Sequence, residues 1–362
     1  MRKLKIYVYA ICKNEEKFVE RWVKSMNEAD GIYVLDTGSS DNSVEKLKSL
    51  GVNVKTETID PFRFDVARNI SLAMVPDDAD ICVCTDLDEV FDSGWRNILE
   101  KNWKDDVVQA SYNYNWHYDG NNNPDVSFNI EKIHIKKDFK WTHPVHEVLK
   151  YTGNKFSKIF VPILLKHYPD TKKSRSNYLK LLELSVLEEP NDDRNVHYLG
   201  REYMYYSMYE KAIDTLRRHL NLESATWKDE RCASMRFIAR CYKYLKRYDE
   251  SLLWYELAIK EAPYLRDPYV EIALLYDELK KYDKVIYYIS SSLLIREKSN
   301  SYINEVFSWN YTPYDLLSIA FYNLGEVDIS YSFSKKAYQM DKKNKRLKDN
   351  YLLLKKMVKD NS

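Results

Sequence analysis

In Cys84-Thr85-Asp86-Leu87-Asp88-Glu89 three carboxylates crowd onto the end of an apolar run, Ile81-Cys82-Val83-Cys84. Such a run can lie inside a parallel sheet with both faces covered. Carboxylates placed just past it stand at the sheet's carboxyl edge, where open α/β sheets bind ligands. Two of them one residue apart can hold a hard divalent cation through oxygen, and the cation can in turn hold a diphosphate. That arrangement suits transfer from a nucleotide-diphosphate donor. A solvated acidic turn has the same composition, so the D-x-D pattern does not decide the matter alone.

The elements that must position these carboxylates occupy residues up to about 150. Ile6 to Ile11 reads as a strand, followed by an amphipathic helix with Phe18, Trp22, Val23 and Met26 on one side. Ile32 to Leu35 is the next strand, and its turn, Asp36 to Ser43, is rich in capping residues ahead of a helix from Val44 to Leu50. Val52 to Thr56, a helix from Phe64 to Met74, and the strand Ile81 to Thr85 complete the alternation. Strands alternating with helices predict a mostly parallel, doubly wound α/β sheet. Further strand-like runs, Val107 to Tyr114, Phe128 to Ile135 and Val145 to Tyr151, surround the Asn/Gly/Pro-rich loop His117 to Pro124, which reads as a turn or flap on the acceptor side.

From about residue 175 the pattern is helical and repetitive. Small residues fall at Gly200, Ala239, Ala273 and Ser318, and Ala212, Ser251, Val285 and Ser330 each follow twelve residues later. The first two intervals are 39 and 34 residues, and the last is longer because of an insertion around Glu297 to Thr312. A period near 34 with small residues where paired helices touch is the tetratricopeptide signature. The charged tail Lys342 to Lys359 reads as a capping helix. The expected organisation is an α/β domain over 1–170 and an all-α repeat solenoid over 175–362.

Bulk properties narrow the partners. At 362 residues the chain has room for two cores, and 56 basic against 55 acidic residues give no general pull toward nucleic acid or anionic lipid. Five cysteines without zinc-type pairing fit a reducing, cytoplasmic setting. Met1 to Lys5 leads straight into a strand with no signal-peptide h-region, and the longest apolar run, Ile159 to Leu165, is far short of a membrane span and contains Pro162. Tyrosine is abundant, 31 residues against 12 Phe, as aromatic packing on half-buried helices or as a groove for a peptide or sugar would require.

With both halves in view, the chain resembles a family 2 glycosyltransferase of the GT-A type followed by tetratricopeptide repeats. The resemblance rests on an ordered set of phrases: Lys13-Asn14-Glu15-Glu16, Asp36-Thr37-Gly38-Ser39-Ser40-Asp41, Ala67-Arg68-Asn69 preceded by Asp65, Asp86-Leu87-Asp88, and Val145-His146-Glu147. It implies that Asp36 and Asp65 hydrogen-bond the base or ribose of the donor, usually uridine, and that Arg68 meets a donor phosphate or Asp65. Asp86 would touch ribose or metal, Asp88 would be the principal ligand of Mg²⁺ or Mn²⁺, and His146 a further metal or phosphate contact. Glu147 would be the general base. The E-D dipeptide that many members carry downstream of D-x-D has no clear counterpart in this sequence. His143 and His167 are further imidazoles of the region.

The implied activity is inverting transfer of a hexose from a UDP-sugar to a peptide, at a Cys thiol or a Ser/Thr hydroxyl, as in the bacterial enzymes that glycosylate bacteriocin peptides. Stacked helix pairs form concave surfaces suited to peptides, and Tyr203, Tyr205, Tyr206 and Tyr209 are placed to line one. A cell-envelope glycan is the other acceptor the resemblance allows. A docking protein with little catalysis is the reading outside the enzymes, and pairing into a homodimer stays open.

Overall fold

The computed structural model describes residues 3–118, 124–170 and 178–360. It divides into two compact units, Met1–Glu188 with Asn300–Tyr302, and Glu189–Ser299 with Ile303–Ser362.

The first unit is built on β1 (Ile6–Cys12), α1 (Val19–Met26), β2 (Gly31–Asp36), α2 (Ser43–Ser49), β3 (Asn53–Thr56), α3 (Phe64–Ala73) and β4 (Ile81–Cys84). It continues through β5 (Glu89–Phe91), α4 (Trp95–Asn102), β6 (Gln109–Tyr118), β7 (Pro124–His134), β8 (Phe139–Thr142), β9 (Val148–Tyr151), β10 (Lys158–His167) and α5 (Tyr178–Glu188). Eight strands form one sheet in the order β3-β2-β1-β4-β7-β6-β10-β5, with β8 and β9 as a separate pair. The four leading strands run parallel, as their connecting helices require. β7 is antiparallel to both β4 and β6, β10 is parallel to β6, and β5 is antiparallel to β10. The sheet is mostly parallel with a mixed flank, the arrangement the sequence reading expects of a GT-A domain.

The apolar runs explain which strands lie inside. Every residue of β4 is buried, and one face of the central sheet packs Ile6, Val8, Ile81 and Val83 against Trp22, Met26, Trp95 and Leu99. The other face sets Tyr9, Cys82 and Cys84 against Leu72 and Trp141. Burying a side chain of this size contributes on the order of 2 kcal/mol.

Three points differ from the sequence reading. The run Ile159 to Leu165, considered there only for its length, is strand β10. Its Pro162 has no N–H for the ladder, and the register with β6 shifts between Val161 and Leu164. Val145, His146 and Glu147 lie in a bend ahead of β9, with His143 and His146 at φ of 75° and 53°. Helix α5, counted there with the repeats, falls in the first unit. Of the loop read as a flap, residues 119–123 lie outside the described residues.

The second unit is a solenoid of helix pairs: α6 (Asp193–Tyr205) with α7 (Tyr209–Leu220), α8 (Lys228–Tyr244) with α9 (Tyr248–Glu261), α10 (Asp267–Glu278) with α11 (Tyr282–Leu294), and α12 (Thr312–Asn323) with α13 (Val327–Met340). Helix α14 (Lys345–Asp360) covers the end, where the charged tail predicts a cap. The small residues sit at the pair contacts. A Cβ on Gly200 would come 2.5 Å from Leu216 Cγ. Ser251 Oγ donates to the Ala239 carbonyl at 2.8 Å, and Ser318 and Ser330 exchange hydrogen bonds.

Each first helix closes through one left-handed residue, Ser207, Lys246, Lys280 or Gly325, and the next N–H reaches five residues back to a carbonyl: Met208 to Tyr203, Arg247 to Tyr242, Lys281 to Tyr276, Glu326 to Phe321. That is a Schellman closure repeated four times, and only the last uses the glycine that suits it. The long insertion between α11 and α12 is tied down by Asp267, which accepts from the Glu305 N–H at 2.7 Å, and by Arg236, which donates to the Ile303 carbonyl at 3.3 Å. Among the described residues no helix is long and apolar enough to cross a membrane.

Candidate active site

Helix α3 supplies Asp65 and Arg68 one turn apart, both buried. Asn69 fixes the helix to β8 by bonding both the N–H and the carbonyl of Trp141. The Phe64 N–H donates to the Pro144 carbonyl at 2.9 Å, which seats the bend 143–147 on the start of α3. Glu147 therefore arrives beside Arg68. The guanidinium donates from Nε to Glu147 Oε1 at 2.6 Å and from Nη2 to Asp86 Oδ1 at 2.7 Å, with Nη1 3.3 Å from Cys84 Sγ. Three residues far apart in sequence are one ion-paired cluster at the carboxyl end of β4.

Antiparallel pairing adds a cation there. Cys82 pairs with His134 and Val83 with Ile133, so Lys132 follows opposite the end of β4. Its ammonium lies 3.3 Å from Asp86 Oδ2 and 3.5 Å from Glu89 Oε1. Burial pushes the Asp86 carboxyl up, but Arg68 and Lys132 outweigh it and hold the group well below the ordinary carboxylate range. Glu89 is moved the other way, raised by burial and by neighbouring Asp86 against the pull of Lys132. It accepts from Tyr114 Oη at 2.7 Å and from the Asp86 N–H at 2.8 Å. The Asp86 carboxylate is thus held ionised between two cations.

Asp88 has a different neighbour. β10 and β5 align His167 with Glu89, and His167 Nε2 lies 3.3 Å from Asp88 Oδ2. The opposite ring nitrogen, Nδ1, is 3.0 Å from the Trp116 carbonyl, and the Trp116 ring stacks on the imidazole at 4.3 Å. A carbonyl can only accept, so Nδ1 carries the proton and Nε2 turns a lone pair or a second proton toward Asp88. Two acceptors at this distance need a cation or a proton between them. Burial lowers the His167 pKa, but hydrogen bonding and charge from Asp88 reverse this and leave it raised. One carboxylate oxygen and one imidazole nitrogen form a donor set that Mn²⁺ or Mg²⁺ accepts, so the residues fit the cation the sequence implies.

The other expected residues are dispersed around this cluster. Asp36, buried at the end of β2, accepts from the N–H groups of Gly38 and Ser39 and from Ser39 Oγ, so it shapes its own loop. Asp65 is held by both arms of Arg63, which also bonds Glu188. His146, the expected imidazole ligand, has its ring 5.9 Å from that of Tyr178, and the imidazole on Asp88 is that of His167. Lys132 and Tyr114 were not singled out from the sequence for a role here, and the register of β4 with β7 and of β6 with β7 is what brings them to Glu89, the third carboxylate of the strand end. No local signal marked Lys132, which follows Glu131 in a strand of mixed polar and apolar residues.

A cleft of about 380 Å³, lined by Asn14, Glu16, Lys17, Asp41, Lys46 and Asp170, opens beside the ends of β1 and β2. Its lysines are already paired, Lys17 with Asp170 at 2.7 Å and Lys46 with Glu16 at 3.1 Å.

Residues 7–153 match the family model described as Glycosyl transferase family 2. No curated protein matches the chain. Solved structures similar to part of it include MamA, at 18% identity and a TM-score of 0.38 over 49% of this chain and 97% of that one. A thermophilic TPR protein from Thermus thermophilus is similar at 16% identity and a TM-score of 0.35 over 49% and 89%. The APC/C hetero-tetramer Cut9–Hcn1 is similar at 12% and 0.41 over 51% and 33%. The repeat assignment itself rests on the helix pairs and their common closure.

Proposed function

We propose, from the premise of a glycosyltransferase family 2 domain over residues 7–153, that the chain moves a hexose from a UDP-sugar to a peptide side chain. The observation that carries the reading is the cluster at the end of β4, where Arg68 joins Asp86 to Glu147 beside the Asp88–His167 pair. Asp36 and Asp65 stand at the neighbouring loop and helix start, where spare carboxylate lone pairs can accept from a base N–H or a ribose hydroxyl. Asp88 and His167 would hold Mg²⁺ or Mn²⁺; when bound, the cation supplies positive charge to a leaving diphosphate.

The chain's own residues do the rest. Arg68 is a positioning residue, holding Asp86 and Glu147 in one orientation by charge-assisted bonds. In the transfer, the anomeric carbon's bond to the diphosphate oxygen breaks as its bond to the acceptor atom forms on the opposite face, inverting the centre. The acceptor proton passes to Glu147, whose Oε1 is occupied by Arg68 and whose Oε2 takes it. A thiol acceptor, already partly ionised near neutral pH, asks less of that base.

The helical unit supports a peptide acceptor, since stacked helix pairs present extended surfaces and Tyr205 and Tyr206 are exposed on α6 and its closing turn. Five cysteines, all buried as free thiols, fit a reducing, cytoplasmic site of action. The test is nucleotide release from UDP-glucose, UDP-GlcNAc, UDP-galactose and GDP-mannose with Mn²⁺ or Mg²⁺, with Cys- and Ser-containing peptides followed by mass. Release from a UDP-sugar, abolished by chelator and matched by a hexose-sized mass gain on peptide, is expected. Release with no peptide gain but transfer to a glycan replaces the acceptor, and absence of both release and UDP binding leaves a docking protein.

A further inference from the structure

Three helices of the second unit bring together side chains that no transferase chemistry uses. His197 on α6, His219 in the last turn of α7 and Glu230 in the first turn of α8 are all buried. One ring nitrogen of each histidine and one oxygen of Glu230 lie within 4.8 Å of one another. We propose that this triad is a transition-metal site, taking Zn²⁺ or a cation of similar size and softness, that staples the first three repeat helices together.

Ser234, one turn after Glu230 on α8 and wholly buried, sets the state of both rings. Its Oγ is 2.7 Å from His197 Nδ1 and 2.9 Å from His219 Nδ1. A hydroxyl oxygen has two lone pairs and can accept from both rings. Both Nε2 atoms are then bare, the tautomer a metal requires, fixed by an outer partner as is usual at such sites. His219 Nε2 is 3.4 Å from Glu230 Oε1 and makes no hydrogen bond. In a tetrahedral zinc site with metal–ligand bonds of about 2.0–2.1 Å, neighbouring ligand atoms stand about 3.3–3.4 Å apart, so this edge is already at the right length. His197 brings its nitrogen within 4.8 Å of the other two donor atoms, and a water would take the fourth position. Two imidazoles to one carboxylate make this a softer donor set than the single imidazole at the β4 site, and favour zinc over a hard cation. The competing arrangement, in which Ser234 donates to one ring and accepts from the other, completes a metal-free network from the same atoms.

Cobalt distinguishes them. The full chain, stripped with chelator, is titrated with Co²⁺ alone while its visible absorption is followed, in the native sequence and in Asp88→Asn, which removes the other divalent site. One equivalent of intense tetrahedral absorption is expected in both, displaced by Zn²⁺, with Zn²⁺ raising the calorimetric melting temperature. His219→Gln should abolish the band and Glu230→Gln weaken binding by about 10-fold or more. Circular dichroism reports folding of each variant, and Glu230→Gln decides if His219→Gln fails to fold. No tetrahedral band in the native chain, or an unchanged band in the folded variants, overturns the site.

Discussion

Arg68 in the first unit and Arg236 in the second are both buried guanidiniums held among carboxylates, yet their partners stand in different surroundings. Arg236 donates to Glu271 and lies 3.7 Å from Asp267, and none of the three side chains is more than 3% exposed. Arg68 is equally covered at 4%, but its partners Asp86 and Glu147 are 35% and 13% exposed, and Asp88 next along is 19%. The first arrangement has its central carboxylates closed off between helices and ties down the insertion before α12, where Glu305 at its rim is 28% exposed. The second opens at a strand end, where charge can meet a ligand. A buried guanidinium among carboxylates is therefore common to both units, and the difference lies in the position of the partly exposed carboxylates at the carboxyl end of β4.

The contrast breaks most readily at Arg236. Arg236→Met leaves Asp267 buried without a cation while Glu271 keeps its two bonds from Arg240, and a loss of about 3 kcal/mol is expected in denaturant unfolding, with nucleotide release below the transition unchanged. A stable variant would mean that the sealed network is dispensable.

Acid probes the first unit through His134. Trp141 Nε1–H donates to Tyr9 Oη, Tyr9 donates to His134 Nε2 at 2.8 Å, and His134 Nδ1–H donates to the Ile135 carbonyl. Burial lowers the His134 pKa to about 4 against an ordinary 6.5. The folded state holds the neutral ring, so its contribution is present above the unfolded value and is lost as pH falls from 6.5 toward 4. Up to about 3 kcal/mol is at stake by the usual conversion of pKa shift to free energy. Calorimetry across that range should show the decline, and His134→Asn should flatten it.

Arg68→Lys sharpens the comparison from the open side. Lysine keeps the charge but cannot bond Asp86 and Glu147 together, so kcat should fall about 10- to 100-fold with a smaller change in KM. An equal change in both would make Arg68 a binding group. The smallest effect belongs to the repeat turns: Lys246→Gly and Lys280→Gly relieve left-handed backbone at φ of 59° and 57°. Each should gain about 0.5 kcal/mol, read as a rise in the denaturation midpoint.

Much of the fold was legible because it is written in local pattern. The apolar run before Asp86 announces an interior strand, and the spacing of Gly200, Ala239, Ala273 and their partners announces helix pairs. The first half of the sheet follows from alternation alone. What stayed hidden depends on register between distant strands. Nothing near residue 132 or 167 says that β7 runs antiparallel to β4 or that β5 folds back on β10, and these pairings deliver Lys132 to Asp86 and His167 to Asp88. The bend holding Glu147 was hidden for a similar reason, since its seat on Phe64 is made by a backbone bond across the fold.

Asp88 is the residue through which the open cluster would act on a donor diphosphate. The most direct test of that role is UDP-sugar turnover by Asp88→Asn alongside calorimetry of the same sample. A fall of about 100- to 1,000-fold with the melting temperature unchanged is the predicted result, the scale of removing one group that stabilises charge in the transition state. Turnover within a few-fold of the native chain would contradict it, and would move the chemistry away from the end of β4.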